Sequence, residues 1–174
     1  MKRTILICSL ILTVLTGCAS TKPKVWIDKD VVLKEYTSFE ILPATNDTGK
    51  TFDFDIADKV TKRINERISA KGFLLAQPGA EGKVMVIKTS ITSYEPGSVI
   101  GRWLAPGAGK TQCVIKSTLT SKETGKILAE MVASEAIAGG GFYTIGADKY
   151  IINMAVDGIV DELEKQIKEQ DKSK

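Results

Sequence analysis

The run Leu15-Thr16-Gly17-Cys18 closes an apolar stretch that opens with Lys2 and Arg3. It decides how much of this chain is left to fold. A basic start, the apolar segment Ile5 to Leu15 and a small residue before a cysteine form the pattern of a bacterial lipoprotein signal. The apolar stretch is too short and wrongly flanked for a permanent transmembrane helix. The expectation is that residues 1–17 are removed and that the Cys18 thiol carries diacylglycerol. Its freed amine then takes a third chain such as palmitate. Two or more acyl chains anchor stably, because each buried methylene contributes about 0.8 kcal/mol. Ala19 and Ser20 follow Cys18, with no Asp to retain the protein in an inner membrane. The expected address is the cell outer membrane, with the domain facing the periplasm.

Losing residues 1–17 changes what the composition means. Of the 24 Lys and Arg residues, Lys2 and Arg3 leave with the signal, so 22 basic residues face 21 acidic ones. A nearly neutral chain has no electrostatic footprint for nucleic acid, and no such partner is expected. Cys8 also leaves and Cys18 is acylated. Cys113 is then the one remaining thiol, and no intramolecular disulfide can form. The chain has no histidine. That removes the usual general base at neutral pH, the commonest metal ligand and every His-based triad. With no other catalytic constellation in the spacing, the chain reads as a non-enzyme without cofactor or metal.

Residues 18–30 read as the lipidated cysteine and a polar tether, which reaches roughly 40 Å at about 3.3 Å per residue. Residues 31–170 read as a single α+β domain. Residues 31–42 alternate, with Val31, Leu33, Phe39 and Ile41 on one face, as in a half-buried strand. Over 55–71 the period changes. Ile56, Val60, Ile64 and Ile68 recur every four residues, which predicts an amphipathic helix with acids at its start and Gly72 as its stop. Residues 73–77, 83–95 and 111–121 read as strands. Lys122 to Gly125 reads as a hairpin turn. Residues 126–137 fit strand or helix by period, and the preceding turn favours strand. Residues 147–168 predict a second helix with the stripe Ile151, Ile152, Ala155, Ile159, Leu163 and Ile167, and Gln170 to Lys174 fray. The expected architecture is a two-layer sandwich: a mostly antiparallel sheet of about five strands, with two helices on one face.

Two motifs invite a chemical reading. Ala44 to Thr51 matches a loose phosphate-binding loop, but it is not fused to the helix start, and Asp53 and Asp55 intrude where phosphate would sit. Asp53, Asp55 and Asp58 lack the central Gly and closing Glu of a calcium loop. Their place before a helix already has a role in countering its dipole.

The stretch Pro96 to Lys110 is glycine-rich yet carries Arg102, Trp103 and Leu104. It reads either as a contact surface or as a cap over an open end of the core. Residues 139–146, with Phe142 and Tyr143, pose the same choice. If both stretches lie at one end of the sheet, together they form a binding edge. Arg102, Trp103, Leu104, Phe142 and Tyr143 are therefore the candidate partner-binding residues.

Arg102-Trp103-Leu104, Gly107-Ala108-Gly109, the alternating strand after them, Thr124-Gly125-Lys126 and a strand of small residues resemble an uncharacterised family of bacterial envelope lipoproteins, domain of unknown function 4410. The strand ending near Pro43, Ala57-Asp58 in the first helix and Lys71-Gly72 at its end are similar too. The resemblance covers roughly residues 31–168. It implies an exported α+β domain and brings no catalytic residues. Two functional expectations follow. One is a lipid-anchored accessory or binding module for an envelope protein or for a second copy of itself. The other is a periplasmic carrier that holds a small molecule or lipid between sheet and helices.

Overall fold

A computed structural model describes residues 18–77, 82–98, 109–137 and 146–172. Among them eight strands form one sheet and two long helices cover one of its faces. The strands are β1 (Cys18–Ser20), β2 (Lys24–Ile27), β3 (Tyr36–Ile41), β4 (Thr45–Asn46), β5 (Leu74–Leu75), β6 (Lys83–Glu95), β7 (Thr111–Ser121) and β8 (Ile127–Ile137). The helices are α1 (Ile56–Ala70) and α2 (Ala147–Lys172). Along the sheet the order is β1-β8-β7-β6-β3-β5, with β2 also on β8 and β4 also on β6.

The α+β class is as expected, while two details of the sheet differ. Among the described residues there are eight strands rather than about five, because short pieces (β1, β2 and β4) join the five anticipated ones. The sheet is also mixed. β6, β7 and β8 form an antiparallel meander, but β3 runs parallel to β6 and to β5, and β4 runs parallel to β6. The cause is α1. A strand followed by a packed helix returns to the sheet in its original direction, as in any crossover unit.

The helix predicted from the four-residue period forms as read. Ile56, Val60, Ile64 and Ile68 are its buried residues. Asp55 caps it, its carboxylate accepting from the Asp58 amide at 2.9 Å. Gly72 ends it at φ +79°, a backbone state open to residues without a Cβ. In α2, Ile151, Ile152, Ala155, Ile159 and Leu163 are buried and Ile167 is partly buried, as the stripe predicted. Val156 and Val160 join them.

The end of α2 corrects the expectation of fraying, since the helix runs to Lys172. The Gln170 carboxamide accepts from the Leu33 amide (2.7 Å) and donates to the Val31 carbonyl (3.3 Å), and Asp171 pairs with Lys34 at 2.9 Å. That clasp also explains residues 31–35. Leu33 is fully buried as predicted, yet it opens a 3-10 turn, Leu33–Glu35, and the strand starts only at Tyr36.

Facing strands and helices interlock in one core. Met85, Ile87 and Ile91 of β6, Ile115 and Leu119 of β7, and Met131 and Ala133 of β8 point into it. Thr89 and Ser117 share it and bond each other at 2.7 Å, so their hydroxyls are not left unsatisfied.

Candidate functional site at the Cys18 end of the sheet

The expected tether is instead part of the sheet. Cys18 opens β1 and lies opposite Ile137, followed by Ala19 opposite Ala136 and Ser20 opposite Glu135. After Thr21 to Pro23 the chain re-pairs, with Lys24 opposite Val132 and Trp26 opposite Glu130. Between the two pieces the Thr21 hydroxyl donates to the Ser134 carbonyl at 2.5 Å. The Pro23 ring lies 3.5 Å from where a Cβ on Gly158 would sit, so α2 offers this segment a notch. Beyond β2 the Asp28 amide donates to the Leu128 carbonyl, and Lys126 pairs with Asp28 at 3.1 Å. Every part of residues 18–30 is thus tied down within a few positions. The signal was readable: Lys24-Val25-Trp26-Ile27 alternates polar or exposed with inward apolar residues and is rich in β-formers.

Strand register carries Cys18 to a definite end of the molecule. Ile137 lies opposite Cys18 on one side and Thr111 on the other, and Gln112 lies opposite Glu95. The end of β6, the start of β7, the end of β8 and the start of β1 therefore stand together. The partner-binding candidates Arg102, Trp103, Leu104, Phe142 and Tyr143 lie outside the described residues. Their described flanks stand at this same end: Ser98 and Gly109 between β6 and β7, Ile137 at the close of β8, and Gly146 just before α2, whose Asp148 meets Tyr94 near the end of β6. The Ser98 amide donates to the Gly109 carbonyl at 3.0 Å, closing the neck of the first stretch. The Thr111 hydroxyl braces it by donating to the Pro96 carbonyl at 2.9 Å.

Two further groups frame this end. Tyr94 donates its hydroxyl to the Asp148 carbonyl at the start of α2 (2.8 Å), and Phe52 and Phe54 meet its ring edge-on at 4.9 and 6.0 Å. Burial pushes the Tyr94 phenol well above its ordinary range, so it stays a neutral donor. In the former phosphate-loop candidate, the Asn46 side chain accepts from Thr48 and donates to the Lys50 carbonyl. The Lys50 ammonium is held by Glu95 at 2.5 Å. That loop is closed on itself by its own side chains. Asp58 bridges to Lys62 at 2.8 Å while Asp55 caps the helix, so both acids have structural partners.

Two residues in from the Cys18 end, Cys113 of β7 lies opposite Glu135 of β8, and both are buried. Burial, with the neighbouring Glu135 second, pushes the Cys113 thiol up to about 12. A thiol held neutral is a packing element rather than a nucleophile. No helix among the described residues is long and apolar enough to cross a membrane.

The geometry defines a two-layer α+β domain whose N-terminal strands close one sheet edge. A family model described as Domain of unknown function (DUF4410) matches residues 43–141, more than half of the chain, and the chain belongs to this family. The match takes in β4 to β8 and α1, while β1, β2, β3 and α2 lie outside it. No curated protein matches the sequence. Solved structures that share the fold include two proteins of bacterial origin. PelC from Paraburkholderia phytofirmans, determined as a dodecamer, superposes with a TM-score of 0.55 over 81% of this chain and 96% of that one, at 10% identity. Protein XCC0632 from Xanthomonas campestris gives 0.52 over 87% and 96%, at 12% identity.

Proposed function

We propose that this chain is a lipid-anchored outer-membrane lipoprotein whose domain works at the periplasmic membrane surface as a binding module for an envelope protein. The observation that carries the reading is the position of Cys18. It is the first residue of a strand in the folded sheet, so no spacer separates lipid from domain. A domain so held presents its attachment end to the bilayer, and a partner engaged there is itself in or on that membrane. The carrier alternative placed a ligand between sheet and helices. In the described residues that space is filled by a continuous cluster of buried side chains, from Leu33 to Leu163. Self-association remains one arm of the test, since a chain of similar fold, PelC, forms a dodecamer.

The test is an in-cell cross-link of the full-length chain beside Cys18→Ala and Trp103→Ala variants. Acyl labelling and membrane fractionation are read on the same samples. Cys18→Ala is expected to abolish labelling and release the chain from the outer-membrane fraction. Normal processing and fractionation of that variant would overturn the anchor. The native chain is expected to capture a membrane-associated protein, or itself, and Trp103→Ala to lose it. Capture of neither would overturn the binding module.

A further inference from the structure

The sheet has a second face that neither helix covers. Its rows follow from register. One row is Trp26, Glu130, Thr118 and Lys88, running from β2 across β8 and β7 to β6. The next is Lys24, Val132, Lys116 and Ser90. The intervening row, Val25, Met131, Ser117 and Thr89, points to the helices, and its members on β6 to β8 are buried. Trp26 is 52% exposed, an unusual state for an indole. Beside it lies an open depression of ≈ 440 Å³ lined by Lys22, Lys24, Val114 and Val132.

The charges on this face do not balance. Glu130 is held by Lys116 at 2.8 Å, and at the border Glu40 is held by Lys122 at 2.8 Å. Asp47 stands at the rim. Among the described residues, Lys24 and Lys88 have no carboxylate within ion-pair distance. The helix face is different: Arg63, Arg67 and Lys71 of α1 are matched by Asp157, Asp161 and Glu164 of α2.

We propose that the uncovered sheet face lies on an anionic bilayer surface, with Trp26 at the headgroup level and Lys24 and Lys88 against lipid phosphates. Three observations select a bilayer. The face is continuous with the anchor: Trp26 follows Cys18 on the same sheet edge, at most about 26 Å further along it. Two attachment points, one covalent and one adsorbed, define an orientation. The chemistry is that of an interface: a half-exposed indole and lysine stems belong where one end of a side chain is apolar and the other wet. The hydroxyls of Ser90 and Thr118 suit hydrated headgroups and would be costly against a dry protein surface. This inference rests on the lipid-anchored reading.

The test uses the mature acylated chain in vesicles of phosphatidylcholine, with and without phosphatidylglycerol. The chain has two tryptophans. Trp103→Phe therefore leaves Trp26 as the sole indole, and the difference between parent and Trp26→Phe isolates the same signal should Trp103→Phe fold poorly. The readouts are emission wavelength and quenching by lipid brominated near the headgroup. A blue shift and roughly twofold quenching in the anionic vesicles, both lost in Lys24→Glu with Lys88→Glu, are expected. A chain that floats with vesicles while its Trp26 emission stays unshifted and unquenched overturns the proposal and leaves the anchor standing. A chain that leaves the cell without acyl groups, yet is quenched when mixed with anionic vesicles, overturns the anchor and keeps the surface. Equal quenching in neutral vesicles overturns the anionic part, and neither flotation nor quenching overturns both.

Discussion

The two faces of the sheet share the same strands and have opposite fates. On β7, Cys113, Ile115, Ser117 and Leu119 are buried, while Val114, Lys116 and Thr118 between them are only half-buried. The alternation is strict, so the two environments differ by one residue along the chain. The covered face is mostly branched and aromatic side chains that water would reject, and polar members such as Thr89 and Ser117 bond each other. The uncovered face is mostly hydroxyls and ammonium groups that water solvates without a second layer, with Trp26, Val114 and Val132 among them. A sheet patterned this way needs helices on only one side. Among the described residues, neither helix packs on the other side.

Three measurements press on that contrast, the largest effect first. Leu119→Ala empties a fully buried site and is expected to lower the unfolding free energy by about 2–5 kcal/mol. Its neighbour Thr118→Ala on the uncovered face is expected to change it by no more than ~0.5 kcal/mol. Urea unfolding of both variants reads this directly, and equal losses would erase the distinction between the faces.

The thiol of Cys113 tests how closed the covered face is. Its value, pushed from the ordinary 9.0 up to about 12, means that near neutral pH the folded chain holds almost no thiolate. Thiol reagents are expected to label it on the order of 100-fold more slowly in the folded than in the urea-unfolded chain. The sign for stability follows by linkage. Above about pH 9 the unfolded thiol ionises while the folded one keeps its proton, so this group's contribution is intact below pH 9.0 and is lost as pH rises toward about 12. Denaturation midpoints are expected to fall over that range, and to fall less in Cys113→Ala. A midpoint that rises with pH would contradict the burial.

The ion pairs between α1 and α2 give the smallest effect. Arg63 and Asp157 meet at 2.7 Å with side chains 27% and 30% exposed. In that partly solvated setting a double-mutant cycle is expected to return no more than about 1 kcal/mol, shrinking with added salt. A coupling as large as the loss in Leu119→Ala would mean that the helix layer is held by charge rather than by its buried stripe.

Legibility in the sequence followed the range of the interactions. The faces of α1 and α2, the bounds of β6 and β7 and the turn before β8 were readable, because neighbours three, four or two residues apart set them. Leu33 was read correctly as buried but in the wrong element, since the clasp from Gln170 lies 137 positions away. The alternation of Lys24 to Ile27 was a local signal for a strand, but its place on the edge of β8 was not legible, because the partner is equally remote: Thr21 bonds Ser134 across 113 positions. The placement of the candidate edge was conditional on both glycine-rich stretches leaving one end of the sheet. Their described flanks stand at the end that also holds Cys18.

By itself the sequence determined a lipoprotein-type pattern ending at Cys18, a histidine-free composition, two helices with their buried stripes, two long alternating strands and a third that the turn before it favours. These are local properties of hydrophobic period and residue chemistry. Only the tertiary structure decided that β3 returns parallel to β6, that the N-terminal segment seals the edge of β8, and that neither helix covers the second sheet face, on the edge that Cys18 opens. Edge pairing and layer order depend on which distant backbone groups find one another. Hydrogen bonds of that kind leave little trace in the spacing of side chains along the chain.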